Sequence, residues 1–299
     1  MEDKIKILLD TDIGDDIDDA FALQYALNHP KIDLLGVTTV YKNAYQRACI
    51  AKKILAENDR GDVPVYVGED NPIKEPLKPF LYEKTGENGK TDLLSWKDEY
   101  SAYRAESGSA VDFILDTIEK NPYEIVLVGI GPMTNVAKAF LKAPDTMKKL
   151  RRVVLMCGNV APVYEWNIMC DPEAASVVLG SGLEITCVGS NCTEQCFFDL
   201  KELLEYLSVC GKALGFIHSM MKEWITYNMR PPIMHDGLAL SEAVNNFVRY
   251  KKCKVEVPLH DERRGMIICT ECADGNIAMS CDFDRAGFMA HFKKIYSEV

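Results

Sequence analysis

A chain of 299 residues, 47% of them hydrophobic, can bury a large core without help from disulfides or a structural metal. Its 34 basic and 45 acidic residues leave a formal charge of -11, which repels phosphate backbones and acidic membrane surfaces, so neither nucleic acid nor membrane is an expected partner. The eleven cysteines are odd in number and lie mostly in apolar runs such as Thr186-Cys187-Val188, as buried free thiols do, which points to a reducing cytosol.

Ile5 to Leu9 is a nearly continuous apolar run ending in Asp10, the pattern of a strand buried on both faces of a parallel sheet. Met1-Glu2-Asp3-Lys4 before it lacks the charged start and apolar stretch of an export signal, so a cytoplasmic location is expected. From Asp18 the apolar spacing turns helical through Ala20, Phe21, Leu23, Ala26 and Leu27 and stops before Pro30, and Ile32 to Val40 is again strand-like. The alternation predicts a helix over Tyr45 to Ala56, a strand at Val65 to Val67, a helix over Ala110 to Glu119 and a strand at Ile125 to Val128. A helix over Thr134 to Leu141 and strands at Val153 to Met156 and Leu183 to Val188 follow. Two segments depart from it. Glu69 to Ser109 is long, polar and without a clear period, which in a compact domain predicts a lid or binding loop, and Leu200 to Tyr227 reads as a helix that Pro231-Pro232 must end. Cys269-Thr270-Glu271-Cys272 has no second CxxC or HxxxH to complete a zinc site and reads as a strand with two thiols. The basic runs Lys148 to Arg152 and Lys251 to Lys254 read as solvated flanks of strands.

Strands alternating with helices predict a single α/β domain over residues 1–299, with a mostly parallel, Rossmann-like central sheet flanked by helices. Ligands of such sheets bind outside the carboxyl ends of the strands, where the side chains of a site must converge. Asp10-Thr11-Asp12-Ile13-Gly14-Asp15-Asp16-Ile17-Asp18-Asp19 places six carboxylates on the first such turn. One or two acids there suit a helix N-terminus, but six like charges repel strongly unless a cation neutralises them. Hard oxygen donors without an adjacent His or Cys favour calcium or magnesium over zinc. A calcium-binding EF-hand loop counted from Asp10 would need Gly at its sixth position and Glu at its twelfth, and this sequence has neither. A phosphatase of the haloacid dehalogenase type wants Thr or Val where Gly14 stands.

The stretch resembles the opening DxDPGxDDA motif of the inosine-uridine preferring nucleoside hydrolase family, matched by Asp10-Thr11-Asp12, Gly14 and Asp18-Asp19-Ala20. The resemblance continues through Asn43, Gly131-Pro132-Met133-Thr134-Asn135, Val154-Leu155-Met156, Glu165-Trp166-Asn167, Asp171-Pro172-Glu173-Ala174-Ala175 and His235-Asp236, spanning about Ile5 to Leu240. It implies hydrolysis of the N-glycosidic bond of a nucleoside, with calcium held by Asp12, Asp19, the main-chain carbonyl of Ile130 and Asp236. Asp12 is then the general base toward the attacking water, and Asp18, Asn43, Glu165 and Asn167 would grip the ribose hydroxyls. Trp166 would lie against sugar or base, and His235 would donate a proton to the departing base, its pKa moved near neutrality by its surroundings. Met156, Tyr227 and Arg230 are further candidates, the last two for closing over the base. A homodimer or homotetramer is the expected assembly.

The chain departs from the family pattern at several points. Ile13 replaces Pro, and the first turn carries two extra residues, so Asp15 or Asp16 competes with Asp18 for its role. The loop segment Thr85-Gly86-Glu87-Asn88-Gly89 lacks the family's histidine, Cys157 and Gly237 replace Gly and Pro, and the stretch from Met156 to Glu165 is shortened. Two other readings follow: a binder of ribosides that keeps the cation cage without turnover, and a hydrolase of another N-ribosyl compound. The scarcity of basic residues in the motifs disfavours a phosphate-bearing substrate.

Overall fold

The computed structural model describes residues 4–74, 84–85 and 91–297. Strand Ile5–Thr11 lies parallel to Ile32–Thr39 on one side and to Ile125–Gly129 on the other. Val65–Val67 extends the sheet beyond Ile32–Thr39, while Arg152–Met156, Ile185–Val188 and Ile277–Phe283 extend it the other way, all in parallel. Val248–Glu256, Met266–Glu271 and Val163–Tyr164 then close that edge in antiparallel register. Among the described residues this makes one ten-stranded sheet, with a separate pair at Lys84–Thr85 and Thr91–Asp92. The mostly parallel α/β architecture expected of the sequence is the one observed.

Period-two alternation along the central strands feeds two cores. Ile7, Leu9, Val126 and Val128 face one layer, completed by helices Asp18–Asn28, Ala44–Glu57 and Arg285–Ser297. Leu8, Ile125 and Leu127 face the other, covered by Ala110–Lys120, Thr134–Lys142 and Pro172–Leu179. Phe21, Phe288, Phe292 and Tyr296 are fully buried and pack ring against ring in the first layer, Phe21 stacked on Phe292 and Tyr296 edge-on to both. Each contributes roughly 1.5 to 3 kcal/mol by leaving water. The C-terminal helix is therefore bolted to the helix that carries the acidic turn.

The predicted elements up to Val188 lie within a few residues of those observed, and the helix after Pro144 is a single short turn, Pro144–Met147. The predicted helix of Leu200 to Tyr227 spans Leu200–Asn228 but is interrupted at Gly215, where φ is 50° and ψ is -120°. Cys269 lies in strand Met266–Glu271 and Cys272 follows its end. The long stretch from Glu69 to Ser109 holds the two-residue strand pair and a short 3-10 turn, Asp98–Ala102; residues 86–89 of its Thr85–Gly89 segment lie outside the described residues. The ten cysteines the structure describes are all free, and seven are buried. No helix among the described residues is long and apolar enough to cross a membrane.

Candidate active site

The carboxyl ends of five parallel strands open into one cavity of about 590 Å³. It is reached by Asp12 to Asp19 after Ile5–Thr11, Asn43 after Ile32–Thr39, and Ile130 after Ile125–Gly129. Met156 to Asn167 reach it from Arg152–Met156, and Ser190 from Ile185–Val188. His235 and Asp236, at the start of helix His235–Ser241, complete the ring, so every site residue named from the sequence lines this one space.

The acidic turn is shaped by local chemistry. Gly14 sits at φ +133°, a backbone conformation that side chains avoid, and Asp18 and Asp19 open helix Asp18–Asn28, where the free N–H groups favour negative charge. Asp18, Asp19 and Asp236 are buried, and each offers an oxygen within 4.8 Å of the others. Asp18 also accepts from the Asp236 backbone N–H at 3.3 Å. This cluster shares Asp19 and Asp236 with the set expected from the sequence and adds Asp18; Asp12 faces the same cavity outside that close group. Burial and then mutual repulsion push the carboxyls of Asp18, Asp19 and Asp236 well above their ordinary range. Burial raises Asp12 to about 6, with Arg47 pulling the other way. Hard oxygen donors that cannot all ionise against one another are the surroundings that a hard divalent cation fits.

The two inserted acids have separate partners. Asp15 accepts from Arg47 at 2.8 Å, and Asp16 pairs with Arg230 at 3.8 Å while accepting from the Ile17 N–H at 2.7 Å. Of the three acids that compete for the ribose role, only Asp18 belongs to the close cluster. Asp10 is turned away from the cavity: it accepts from Thr38 at 2.6 Å and from Asn135 at 2.7 Å, and burial raises it to about 7. Asp171 serves the scaffold too, receiving bonds from Thr134, Ala174 and Ile73.

Glu165, which lines the same cavity, caps helix Trp166–Cys170 by accepting from the N–H groups of Asn167 and Ile168 at 3.0 and 3.2 Å. Burial lifts its carboxyl to about 7 in spite of these bonds. The Asn167 amide donates to the carbonyls of Ile130 at 3.0 Å and Met156 at 2.9 Å. Its N–H group is thereby committed to the backbone, leaving its carbonyl oxygen for a ligand. The Ile130 carbonyl keeps a second lone pair.

At the other end of the cavity, His235 Nδ1 lies 2.7 Å from the Thr193 hydroxyl. Burial, reinforced by the charge of Arg230, lowers its pKa to about 4, so the near-neutral pKa expected from the sequence is not found and the ring is uncharged at pH 7. Arg230 stacks 4.9 Å from the centre of the buried Trp224 ring, and Tyr227 stands 59% exposed at the rim. Leu93 and Leu94, from the stretch expected to form a lid or binding loop, line the cavity as well.

Sequence reasoning missed Trp224, Glu194 and Arg47, all of which line the cavity. Only Arg47 left a trace: Ala44, Arg47, Ala48 and Ala51 share one helical face, and that face is buried. It missed, too, how closely Gly131 backs the acidic turn, where an added Cβ would lie 2.8 Å from the Asp12 backbone N and carboxylate. Because one of the atoms met is backbone, Gly131→Ala is expected to displace Asp12, lowering kcat/KM by about tenfold to a hundredfold and the melting temperature with it. Paired kinetic and thermal measurements on the purified variant check this.

A parallel sheet whose strand ends gather carboxylates, an imidazole and aromatic rings around one cavity defines an α/β enzyme for a polar small molecule. Residues 7–290 match the model of the inosine-uridine preferring nucleoside hydrolases, and the chain belongs to that family of N-glycosyl hydrolases. It is 31% identical over 285 residues to the pyrimidine-specific ribonucleoside hydrolase RihB of Escherichia coli O9:H4 (strain HS), covering 90% of this chain and 88% of that one. It is 32% identical over 266 residues to uridine nucleosidase 1 of Arabidopsis thaliana, covering 84% and 78%. Among solved structures, the purine-preferring ribonucleoside hydrolase from Gardnerella vaginalis superposes with a TM-score of 0.83 at 28% identity over 98% of both chains.

Proposed function

We propose that this chain is a calcium-dependent hydrolase that splits ribonucleosides into free base and ribose in the cytoplasm. The observation that carries this reading is the meeting of Asp12, Asp18, Asp19 and Asp236 in one cavity at the strand ends, which Glu165 lines as well. Asp12, Asp19, Asp236 and the Ile130 carbonyl would hold the cation, with Asp18 beside them. When bound, calcium supplies neutralising charge and a Lewis-acidic centre for water and the ribose diol.

The rest of the chemistry belongs to the protein's own groups. Asp12, ionised, accepts the proton of the attacking water. Asp18, Asn43, Glu165 and the free oxygen of Asn167 bind the sugar hydroxyls, and the surrounding carboxylates favour the positive charge that grows on the ribose as the glycosidic bond breaks. Trp166 and Tyr227 provide faces for a planar base, with Arg230, stacked on Trp224, and Met156 lining the same cavity. His235 acts in its neutral form: Nδ1 lies against the Thr193 hydroxyl, and in the tautomer in which that hydroxyl donates, Nε2 carries a hydrogen that can bond to the departing base.

Release of reducing sugar from inosine, uridine, cytidine and adenosine, measured side by side with calcium and with chelator, tests the proposal. Ribose release from at least one riboside, lost on chelation, is the expected result. Calcium-dependent binding with no release from any of the four would instead establish a riboside-binding protein.

A further inference from the structure

Arg47 has no part in the chemistry above, yet it is among the largest side chains wholly removed from solvent. Its Nε donates to the carbonyls of Tyr41 at 2.7 Å and Lys42 at 2.9 Å. Nη1 donates to the carbonyls of Asp12 and Ile13, and Nη2 to the Asp15 carboxylate at 2.8 Å. One guanidinium thus ties together two loops that leave neighbouring strands, the acidic turn at 12–15 and the segment at 41–43.

The second loop needs such a tie. Tyr41, Lys42 and Asn43 have φ of 68°, 21° and 58°, three consecutive non-glycine residues in the left-handed region. L-residues rarely hold this conformation, so three in a row persist only if their surroundings over-determine them. From outside, Glu69 and Asp70 carbonyls accept from the N–H groups of Tyr41 and Lys42 at 2.7 and 2.9 Å. From inside, the carbonyls of the same two residues accept from Arg47, and the run delivers Asn43 directly to the cavity. A lysine has one ammonium in place of the planar fork and cannot span the same five acceptors.

We infer that Arg47 is a positioning residue, which fixes the strained turn bearing Asn43 against the acidic turn bearing Asp12 so that both meet the same sugar. The inference rests on the ribose-site reading given under the proposed function. A misplacement of about 1 Å at a reacting centre costs on the order of a hundredfold in rate, and that is the effect assigned to loss of the guanidinium.

The test uses the full chain with calcium and whichever riboside the native protein hydrolyses. Arg47→Lys is expected to stay folded yet lose about a hundredfold in kcat/KM, with faster amide hydrogen exchange at residues 12–16 and 41–46 and unchanged protection in strand Ile125–Gly129. Arg47→Ala is expected to recover part of its rate when guanidinium ion is added and none with ammonium ion. Native kcat/KM in either variant overturns the inference, as does a loss that follows only the unfolded fraction without guanidinium rescue. Recovery of both variants only as unfolded chain overturns it as well, since Arg47 would then serve the fold alone. If the native chain releases no ribose, the hydrolase reading fails by itself, and the exchange pattern of Arg47→Lys still decides whether this residue orders the two loops.

Discussion

Replacement of Asp12 by Asn is expected to lower turnover by about 10²- to 10⁴-fold, the usual contribution of a positioned general base. The substitution preserves shape and removes the carboxylate proposed to accept the proton. Asp12 is the acid of the turn best placed for this duty. Its pKa, raised to about 6, is tempered by Arg47, whereas Asp18, Asp19 and Asp236 form the close cluster, where burial and neighbouring carboxylates raise them well above the ordinary range. If Asp12 instead serves only to hold the ion, excess calcium should restore much of the rate of Asp12→Asn. Kinetics across a calcium titration, with native protein alongside, separate the two outcomes. Asp18→Asn, by contrast, should act more on KM than on kcat if its partner is a ribose hydroxyl present in both ground and transition states.

Removal of calcium is expected to make the folded state sensitive to alkali. Folding raises the Asp10 carboxyl from an ordinary 3.8 to about 7 and Glu165 from 4.5 to about 7, and raises the clustered aspartates well above their ordinary range. Below about pH 4 these groups are protonated in both folded and unfolded chains, so their burial costs little. As pH climbs toward 7, the unfolded chain releases protons that the folded one retains, and the balance shifts toward unfolding by on the order of 3 kcal/mol for each of Asp10 and Glu165. A bound divalent cation should offset the part of this loss that arises in the cluster, and ligand at a hundred times its dissociation constant adds about 2.7 kcal/mol of its own. Melting curves at pH 5, 6.5 and 8 are therefore expected to diverge between calcium and chelator, with the widest gap at pH 8. Equal melting temperatures with and without calcium at pH 8 would mean that no cation occupies the cluster.

The parallel half of the sheet was legible because strands buried on both faces must be apolar throughout, as Ile5 to Leu9 and Ile125 to Val128 are, and because helices between them switch the apolar period. The antiparallel edge was not. Val248–Glu256 buries only Val248 and Cys253 fully and sends Arg249, Lys251, Lys252 and Lys254 to water, so its lysines look like the flank of an element and not its middle. The site's residues were legible as motifs, and the structure brings them to one cavity, but the relations among them were not. No spacing rule says that Asp10 turns inward to Thr38 and Asn135, that the Asn167 amide is spent on two carbonyls, or that burial beside Arg230 would lower His235. Such effects depend on which groups tertiary packing removes from water. Arg47 shows the same limit, since a charge on a buried helical face has meaning only once the loops it fastens are known.

The two-residue strand Val163–Tyr164 is hydrogen-bonded to Met266–Glu271, far along the chain. Glu165 and Trp166 follow it immediately, so one wall of the reaction chamber leans on a buttress of C-terminal hairpin that, among the described residues, contributes no lining of its own. Sequence drift in residues 248–283 can thus tilt that wall without altering a single residue that meets the substrate, and relatives with identical motifs can come to prefer different bases.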